Sequence, residues 1–373
     1  MADSIARCRA RWGSAAPIAL GGIYATLLPG HARRHSGADI VFEGQAFESF
    51  PRWLRERFPA RAAAIHAVPE NLDSWPRPAV DLCHGRKALP LLMSLGCPGR
   101  CAYCASALLA PRRLRRSAES AHAELADHAE RFGAEDIAFF DDALLTESAR
   151  WFEPFLDRVI AQGPRVRFHA PNGLNCAEIH PGLAGKMKAA GFETVRLSLE
   201  TIATERLREW RRSGGAEAFA RAVVALRRAG FRRDQIGAYI MGGMPGQTSE
   251  ETRRTIEFAH DAGATPYLNE FSPIPGTLGM ERAIAQADMR RPGSGRELIE
   301  EPLWQNNSLY FLRGDSYPAE EFIELKRLTR RLRSAEPVGK ALASGGANAV
   351  FLPAAPHGDF RQAADRPFFQ EDC

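Results

Sequence analysis

Leu89-Pro90-Leu91-Leu92-Met93-Ser94-Leu95-Gly96-Cys97-Pro98-Gly99-Arg100-Cys101-Ala102-Tyr103-Cys104 runs a short apolar stretch straight into three closely spaced cysteines. The apolar part, Leu89 to Leu95, has the length of a buried strand. The cysteines follow in a C-x3-C-x2-C pattern, with Pro98 and Gly99 shaping the tight loop and Gly99 free to take positive φ. Three thiolates on one loop can hold three irons of a cubane and leave the fourth without a protein ligand. Clusters built for electron transfer alone take four cysteines. An open iron is a binding position, as the open site on a catalytic zinc is. The alternatives are a zinc site completed by His84 or His122 and a chance triplet of structural cysteines. Zinc knuckles pair their ligands, and neither histidine is spaced to make one.

Working outward, the same strand-then-helix rhythm recurs five times. Strands are expected at Asp136 to Phe140, Val166 to Ala170, Thr194 to Leu199, Ile236 to Met241 and Thr265 to Phe271. Helices are expected at Ala118 to Phe132, Thr146 to Ala161, Pro181 to Ala190, Ala216 to Ala229 and from Thr248 to Ala262. Thr248 with Glu251 reads as a capping box. Such alternation implies parallel strands with right-handed crossovers. Six units fall short of the eight that close a full barrel, so the expected fold class is α/β, a partial, laterally open (β/α)6 TIM-like barrel. Its site belongs at the C-terminal ends of the strands, where the cysteine loop also falls. The domain reading is an N-terminal α/β segment over 1–85, the barrel over 86–280 and a C-terminal helical extension over 281–373. In that extension Glu320 to Arg333 is an amphipathic helix with Phe322, Ile323, Leu325, Leu328 and Leu332 on one side. Ser334 to Cys373 reads as a loosely ordered tail.

Composition narrows the function classes. The 373 residues are 45% hydrophobic and 25% charged, with net charge +4, which is ordinary globular usage. No apolar run approaches the ~20 residues that span a bilayer, and the start lacks the form of a signal peptide. Neither a membrane nor nucleic acid is expected as a partner. The arginine runs, among them Arg206 to Arg212, read as solvated helix faces. Seven cysteines, three of them clustered, do not form a disulfide framework, which favours a reducing, cytoplasmic setting.

The cysteine loop, with an aromatic residue just before the last cysteine, resembles the signature of the radical S-adenosylmethionine (SAM) superfamily, and the likeness covers about Leu89 to Thr277. It implies a [4Fe–4S] cluster on Cys97, Cys101 and Cys104, with SAM chelated to the open iron. An electron supplied by a donor such as flavodoxin or ferredoxin would cleave SAM to methionine and a 5′-deoxyadenosyl radical acting on an unidentified substrate. Tyr103 is then a candidate to pack on the adenine. Asp141 and Asp142, ending the second strand, are candidates for the methionine amino group, with a helix N-cap as the alternative role for Asp142. Ser198 and Glu200, alternate residues ending the fourth strand, are candidates for the ribose and amino-acid portions. Gly242 and Gly243 would let backbone approach the adenosine. Ser272 to Thr277 resembles the family's ending of the sixth strand. His169, Asn172 and Asn175 are candidates to face SAM or substrate, or to pack.

Pro17-Ile18-Ala19-Leu20-Gly21-Gly22-Ile23-Tyr24-Ala25-Thr26 and Ala38 to Gly44 resemble the end of the cobalamin-binding domain found in one group of radical SAM enzymes. Here the segment begins too late to supply the earlier strands of a full domain. It also lacks an Asp-x-His-x-x-Gly motif, for which Asp81-Leu82-Cys83-His84-Gly85 is no substitute. It reads as a remnant or a cap over the barrel, and cobalamin is not expected. Two other functions stay open: a cobalamin-dependent radical SAM methyltransferase, and a non-catalytic iron–sulfur electron carrier or sensor.

Overall fold

Each apolar run is buried because it pairs with the next one and is covered by the helix between them. The computed structural model describes residues 2–66, 68–286 and 318–335. Six strands, β1 (Ala88–Leu91), β2 (Asp136–Phe139), β3 (Arg167–Asn175), β4 (Phe192–Glu200), β5 (Ile236–Gly242) and β6 (Thr265–Glu270), form one sheet in the order β6-β5-β4-β3-β2-β1. Every pair is parallel. Neighbours in sequence are neighbours in space, and β1 and β6 remain as two edges, so the barrel is open. The intervening helices are α1 (Ala118–Ala126), α2 (Ser148–Gln162), α3 (Pro181–Ala190), α4 (Ala216–Arg228) and α5 (Ser249–Asp261). The predicted partial (β/α)6 architecture is the one observed. Among the described residues no helix is long and apolar enough to cross a membrane.

Local chemistry sets the boundaries. Ser117 caps α1 by accepting from the Ser120 N–H, and α1 passes into a π turn over Asp127–Arg131 where one continuous helix is expected. The helix expected from Thr146 starts at Ser148 because Glu147 takes φ 57. Thr248 and Glu251 form the reciprocal capping box. Strand β3 runs five residues past its expected end, through a bulge between Ala170 and Leu174.

Between sheet and helices the core is aromatic. Phe139, Phe152, Phe155, Phe168 and Phe192 are all buried, and the Phe139 and Phe192 rings lie parallel with centroids 5.6 Å apart. The opposite face of the sheet is polar, with Arg196 over the Tyr267 ring at 4.7 Å. Past β6, α6 (Leu278–Gln286) folds back over the strand ends, and α7 (Ala319–Ser334) packs along β6 and α5 through Phe322, Leu325 and Leu328. Ile323, expected on that same side, is 48% exposed instead. The predicted tail over 336–373, and residues 287–317 of the C-terminal extension, lie outside the described residues.

The N-terminal segment holds a two-strand parallel pair, Ala19–Leu20 with Ile40–Val41. The helices Gly22–Leu27 and Pro29–His35 join its strands around a small core of Leu20, Ala25 and Ala32. Helix Gly22–Leu27 lies against the short helix Ser106–Leu109, just beyond Cys104.

Candidate cluster and cofactor site

Beyond β1 the chain is pinched before it reaches the cysteines. Ser94–Leu95 pairs antiparallel with Leu114–Arg115, closing residues 96–113 into a loop at the strand ends. Gly96 enters that loop at φ 80, and a β-carbon on it would stand 2.5 Å from the Arg112 carbonyl oxygen, so no other residue fits without rebuilding the loop. Within the loop, Ala102 N–H donates to the Trp210 carbonyl at 2.8 Å and its carbonyl accepts from Gly279 N–H at 2.7 Å. A second, smaller core of Ala102, Trp210, Met244, Phe271, Met280 and Ala283 anchors the loop from below. Tyr103 belongs to this core, edge-on to Trp210 with centroids 6.3 Å apart. Burial first, then the nearby Glu200 charge, hold the Tyr103 hydroxyl well above its ordinary pKa.

The three cysteines fit a cluster. Cys97 Sγ accepts from the Gly99 N–H at 3.3 Å, Cys104 Sγ from the Ser106 N–H at 3.4 Å, and Arg212 Nη1 reaches Cys101 Sγ at 4.0 Å. Each sulfur therefore faces an N–H donor, the environment a thiolate ligand needs. A β-carbon on Gly99 would meet both Cys97 Sγ and Cys101 Sγ, at 3.3 and 3.8 Å, so the glycine leaves room between them. Burial pushes the Cys97 thiol pKa up, and Cys101, Cys104 and Asp142 add to this against the Gly99 N–H. Among the described residues no group of three or more His, Cys, Asp and Glu could hold a single metal ion. A cubane instead offers each thiolate its own iron.

Around the loop the candidates divide. Asp141 is buried, and its carboxylate accepts from Ser94 Oγ at 2.6 Å and from the Met93 N–H at 3.2 Å. It braces the approach to the cysteine loop, and burial lifts its pKa to about 6 against those two hydrogen bonds. Asp142 is exposed on the Cys97 side. Glu200 closes β4 at φ 62, next to a register shift, and its carboxyl is buried. Burial raises its pKa to about 7, partly offset by Arg212. Such backbone strain on a bulky residue persists only where the surrounding structure imposes it, and it gathers at functional sites. Ser198 lies across the sheet from Tyr239, so close to β3 that a β-carbon on Gly173 would overlap its Oγ. Gly242 ends β5, Gly243 turns at φ 85, and Gln247 bonds back to Met241 and Met244 to hold that turn. His169 is bonded to Asp136 and Thr194, each at 2.9 Å. Asn172 donates to the Asp141 carbonyl, while Asn175 caps the turn that follows it.

Arg212 is the residue that sequence reasoning missed. Its run, Arg206 to Arg212, reads as a solvated face, yet the short helix Thr204–Glu209 stops and Arg211 takes φ 53. That turn swings Arg212 inward, where it donates to the Ser198 carbonyl at 3.3 Å. Burial opposes its charge, but Tyr103, Glu200 and Cys101 more than compensate and raise its pKa. The available signal was Trp210-Arg211-Arg212-Ser213-Gly214-Gly215, a bulky apolar residue and a glycine pair that do not continue a surface helix. Arg206 is also not free, being paired with Glu209 and Glu251.

Comparison with known proteins agrees with this geometry. The family profile described as "Radical SAM superfamily" matches residues 91–259. An uncharacterized methyltransferase of Pyrococcus horikoshii is 30% identical over 226 residues, 58% of this chain and 48% of that protein. The ribosomal protein uS12 methylthiotransferase RimO of Acidothermus cellulolyticus is 27% identical over 54% of this chain and 43% of its own length. The chain thus spans about half the length of the curated relatives it matches. Among solved structures, the radical SAM methyltransferase TsrM of Kitasatospora setae superposes with a TM-score of 0.62 at 19% identity, over 76% of this chain and 61% of that one. The cobalamin-dependent SAM radical enzyme OxsB gives 0.57 at 12% identity, over 93% and 52%. The profile match over residues 91–259 takes in the three-cysteine loop at the mouth of six parallel strands, so this stretch is similar to the radical SAM superfamily, and the fold of the chain is like that of TsrM and OxsB.

Proposed function

We propose that this chain binds a [4Fe–4S] cluster through Cys97, Cys101 and Cys104 and cleaves SAM reductively to act on a substrate whose identity stays open. The observation that carries the reading is the loop itself: three sulfurs, each facing an N–H donor, on a segment that Ala102 pins between Trp210 and Gly279. When bound, the cluster and SAM supply the reductive cleavage that generates a 5′-deoxyadenosyl radical. The protein's own part is to bind and orient. Asp142 beside Cys97, Ser198 and Glu200 at the end of β4, and the Gly242–Gly243 turn ending β5 form the proposed SAM cradle, with Tyr103 in its floor. Asp141 holds the loop rather than offering a free carboxylate. Glu200, with its pKa near 7, can accept or release a proton close to neutrality, so the charge it presents to SAM is set by its partners.

The electron is proposed to come from a small reducing protein such as flavodoxin or ferredoxin. The setting is proposed to be the cytoplasm, since all six described cysteines are free. The test is anaerobic reconstitution with iron and sulfide, reduction with dithionite, and assay for 5′-deoxyadenosine. Product from the wild type but from none of the three cysteine-to-alanine variants supports the reading. A reducible cluster that never cleaves SAM makes the protein an electron carrier or sensor. Binding of zinc alone removes the reading altogether.

A second reading, methyl transfer with cobalamin, has one observation in its favour. The Gly21–Gly22 turn leads into a helix lying against Ser106–Leu109, next to the cysteine loop, and OxsB and TsrM, similar in fold, are described with cobalamin bound. Corrinoid retained through purification after expression with cobalamin would support it. Its absence leaves the N-terminal segment a cap.

A further inference from the structure

Arg212 holds the end of β4 by one hydrogen bond, to the Ser198 carbonyl, and that bond uses only part of its guanidinium. No carboxylate lies within ion-pairing distance of it among the described residues, and its Nε is buried without a hydrogen-bond partner. The rest of the guanidinium spans two parts of the site. Nη2 donates to the Ser198 carbonyl at 3.3 Å, and Nη1 points to Cys101 Sγ at 4.0 Å. Arg212 is half-buried; Tyr103 and Glu200 nearby favour its charge, but neither forms a direct ion pair with it, and holding a cation out of water without a hydrogen-bonded anion is costly. A protein keeps one where negative charge arrives with a bound group. A cubane on three thiolates brings net negative charge, which grows by one unit on reduction. Cluster potentials respond to nearby charge and to hydrogen bonds on the ligand sulfurs.

We infer that Arg212 is a positioning residue for the cluster, a fixed cation whose guanidinium lies against Cys101 and makes the cluster easier to reduce. This rests on the cluster reading above. Because the neighbouring thiolate and the cluster share the negative charge, the cation favours the reduced form over the oxidised one. The tie to Ser198 links the same cation to the end of β4, so the donor stays in place when the loop is loaded.

The experiment is an EPR-monitored redox titration of anaerobically reconstituted protein without SAM, comparing wild type, Arg212→Gln and Arg212→Lys. At the potential where the wild-type cluster is half reduced, Arg212→Gln is expected to show about a tenfold lower ratio of reduced to oxidised cluster, a midpoint more negative by about 59 mV. Arg212→Lys, which restores the charge, should recover most of that shift. An unchanged midpoint in Arg212→Gln with full iron content overturns the proposal, as does a lysine variant shifted as far as the glutamine one. If Arg212→Gln fails to fold, the neutral Arg212→Met carries the same measurement. Failure of both neutral variants to hold iron while Arg212→Lys holds it assigns Arg212 a structural role and also overturns the proposal. A wild type that takes up no cubane refutes the proposed function instead, which keeps the two failures apart.

Discussion

The two ends of the sheet are built on opposite principles. Under the helices, Phe139, Phe152, Phe155, Phe168 and Phe192 stack with nothing polar among them. Each ring removes a large apolar area from water, and aromatic pairing adds to it. At the mouth, burial falls on Asp141, Glu200 and part of Arg212, groups that lose hydration when they leave water. Their pKa values register that loss, at about 6 for Asp141 and about 7 for Glu200. The first region exists to make the fold stable; the second spends part of that stability to hold charge where a cofactor would sit. Variants in the two regions should therefore separate stability from cofactor loading.

The largest expected separation lies among the cysteines themselves. Cys97→Ala, Cys101→Ala or Cys104→Ala should abolish cluster uptake, read as iron and sulfide content and the visible absorption band, with the apoprotein still folded by circular dichroism. Cys176→Ala should keep full iron content. Cys176 is buried beneath β4, its Sγ–H donates to the Ser198 carbonyl at 3.4 Å, and burial lifts its thiol to about 12. Loss of half the iron in that variant would instead reveal a second cluster. The converse is Phe139→Ala, which removes the ring shared by the whole stack and should cost about 3–5 kcal/mol in urea unfolding. What remains folded should load iron as the wild type does.

Glu200 gives the next step down and a pH signature. Its folded pKa, about 7, lies above the ordinary value of 4.5, so between those pH values the native state binds more protons than the unfolded chain. Unfolding free energy must then fall as pH rises from about 4.5 to 7 and level off above, by up to ~3 kcal/mol from this group. Glu200→Gln should flatten that part of the profile, measured as urea midpoints of the apoprotein from pH 5 to pH 8. A wild-type profile that rises across the window would contradict the buried, neutral-leaning carboxyl.

The stable half of the molecule was legible in the sequence and the charged half only in outline. Periodicity located all six strands and five crossover helices, because burying an apolar run leaves a repeat in the residues themselves. It missed the extension of β3 past Ala170, where Pro171 and Gly173 look like a terminator but form a bulge. The cysteine loop stood out because thiol spacing is local. Arg212 did not, because its partners Cys101 and Ser198 are 111 and 14 residues away, and its inward turn depends on a positive φ at Arg211. Asp141 was found by position, yet its carboxylate faces Ser94 and Met93, a contact no pattern in the sequence announces. Ile323 misled in the opposite direction, as an apolar residue in an amphipathic repeat that faces solvent.

The smallest effect tests whether the mouth is insulated from the helices behind it. Thr248 starts α5 directly after the Gly242–Gln247 turn, its Oγ1 accepting from the Glu251 N–H at 3.2 Å and its own N–H donating to Glu251 Oε2 at 2.7 Å. Thr248→Ala removes one half of that capping box and should cost about 1 kcal/mol of unfolding free energy. The turn is held separately, by Gln247 bonding to Met241 and Met244, and the cysteine loop by Trp210 and Gly279. Iron content and 5′-deoxyadenosine formation should therefore stay at the wild-type level. A matching loss of SAM cleavage with normal iron content would mean that the start of α5 helps to set the glycine turn. The division between a stabilising core and a loaded mouth would then shift by one helix.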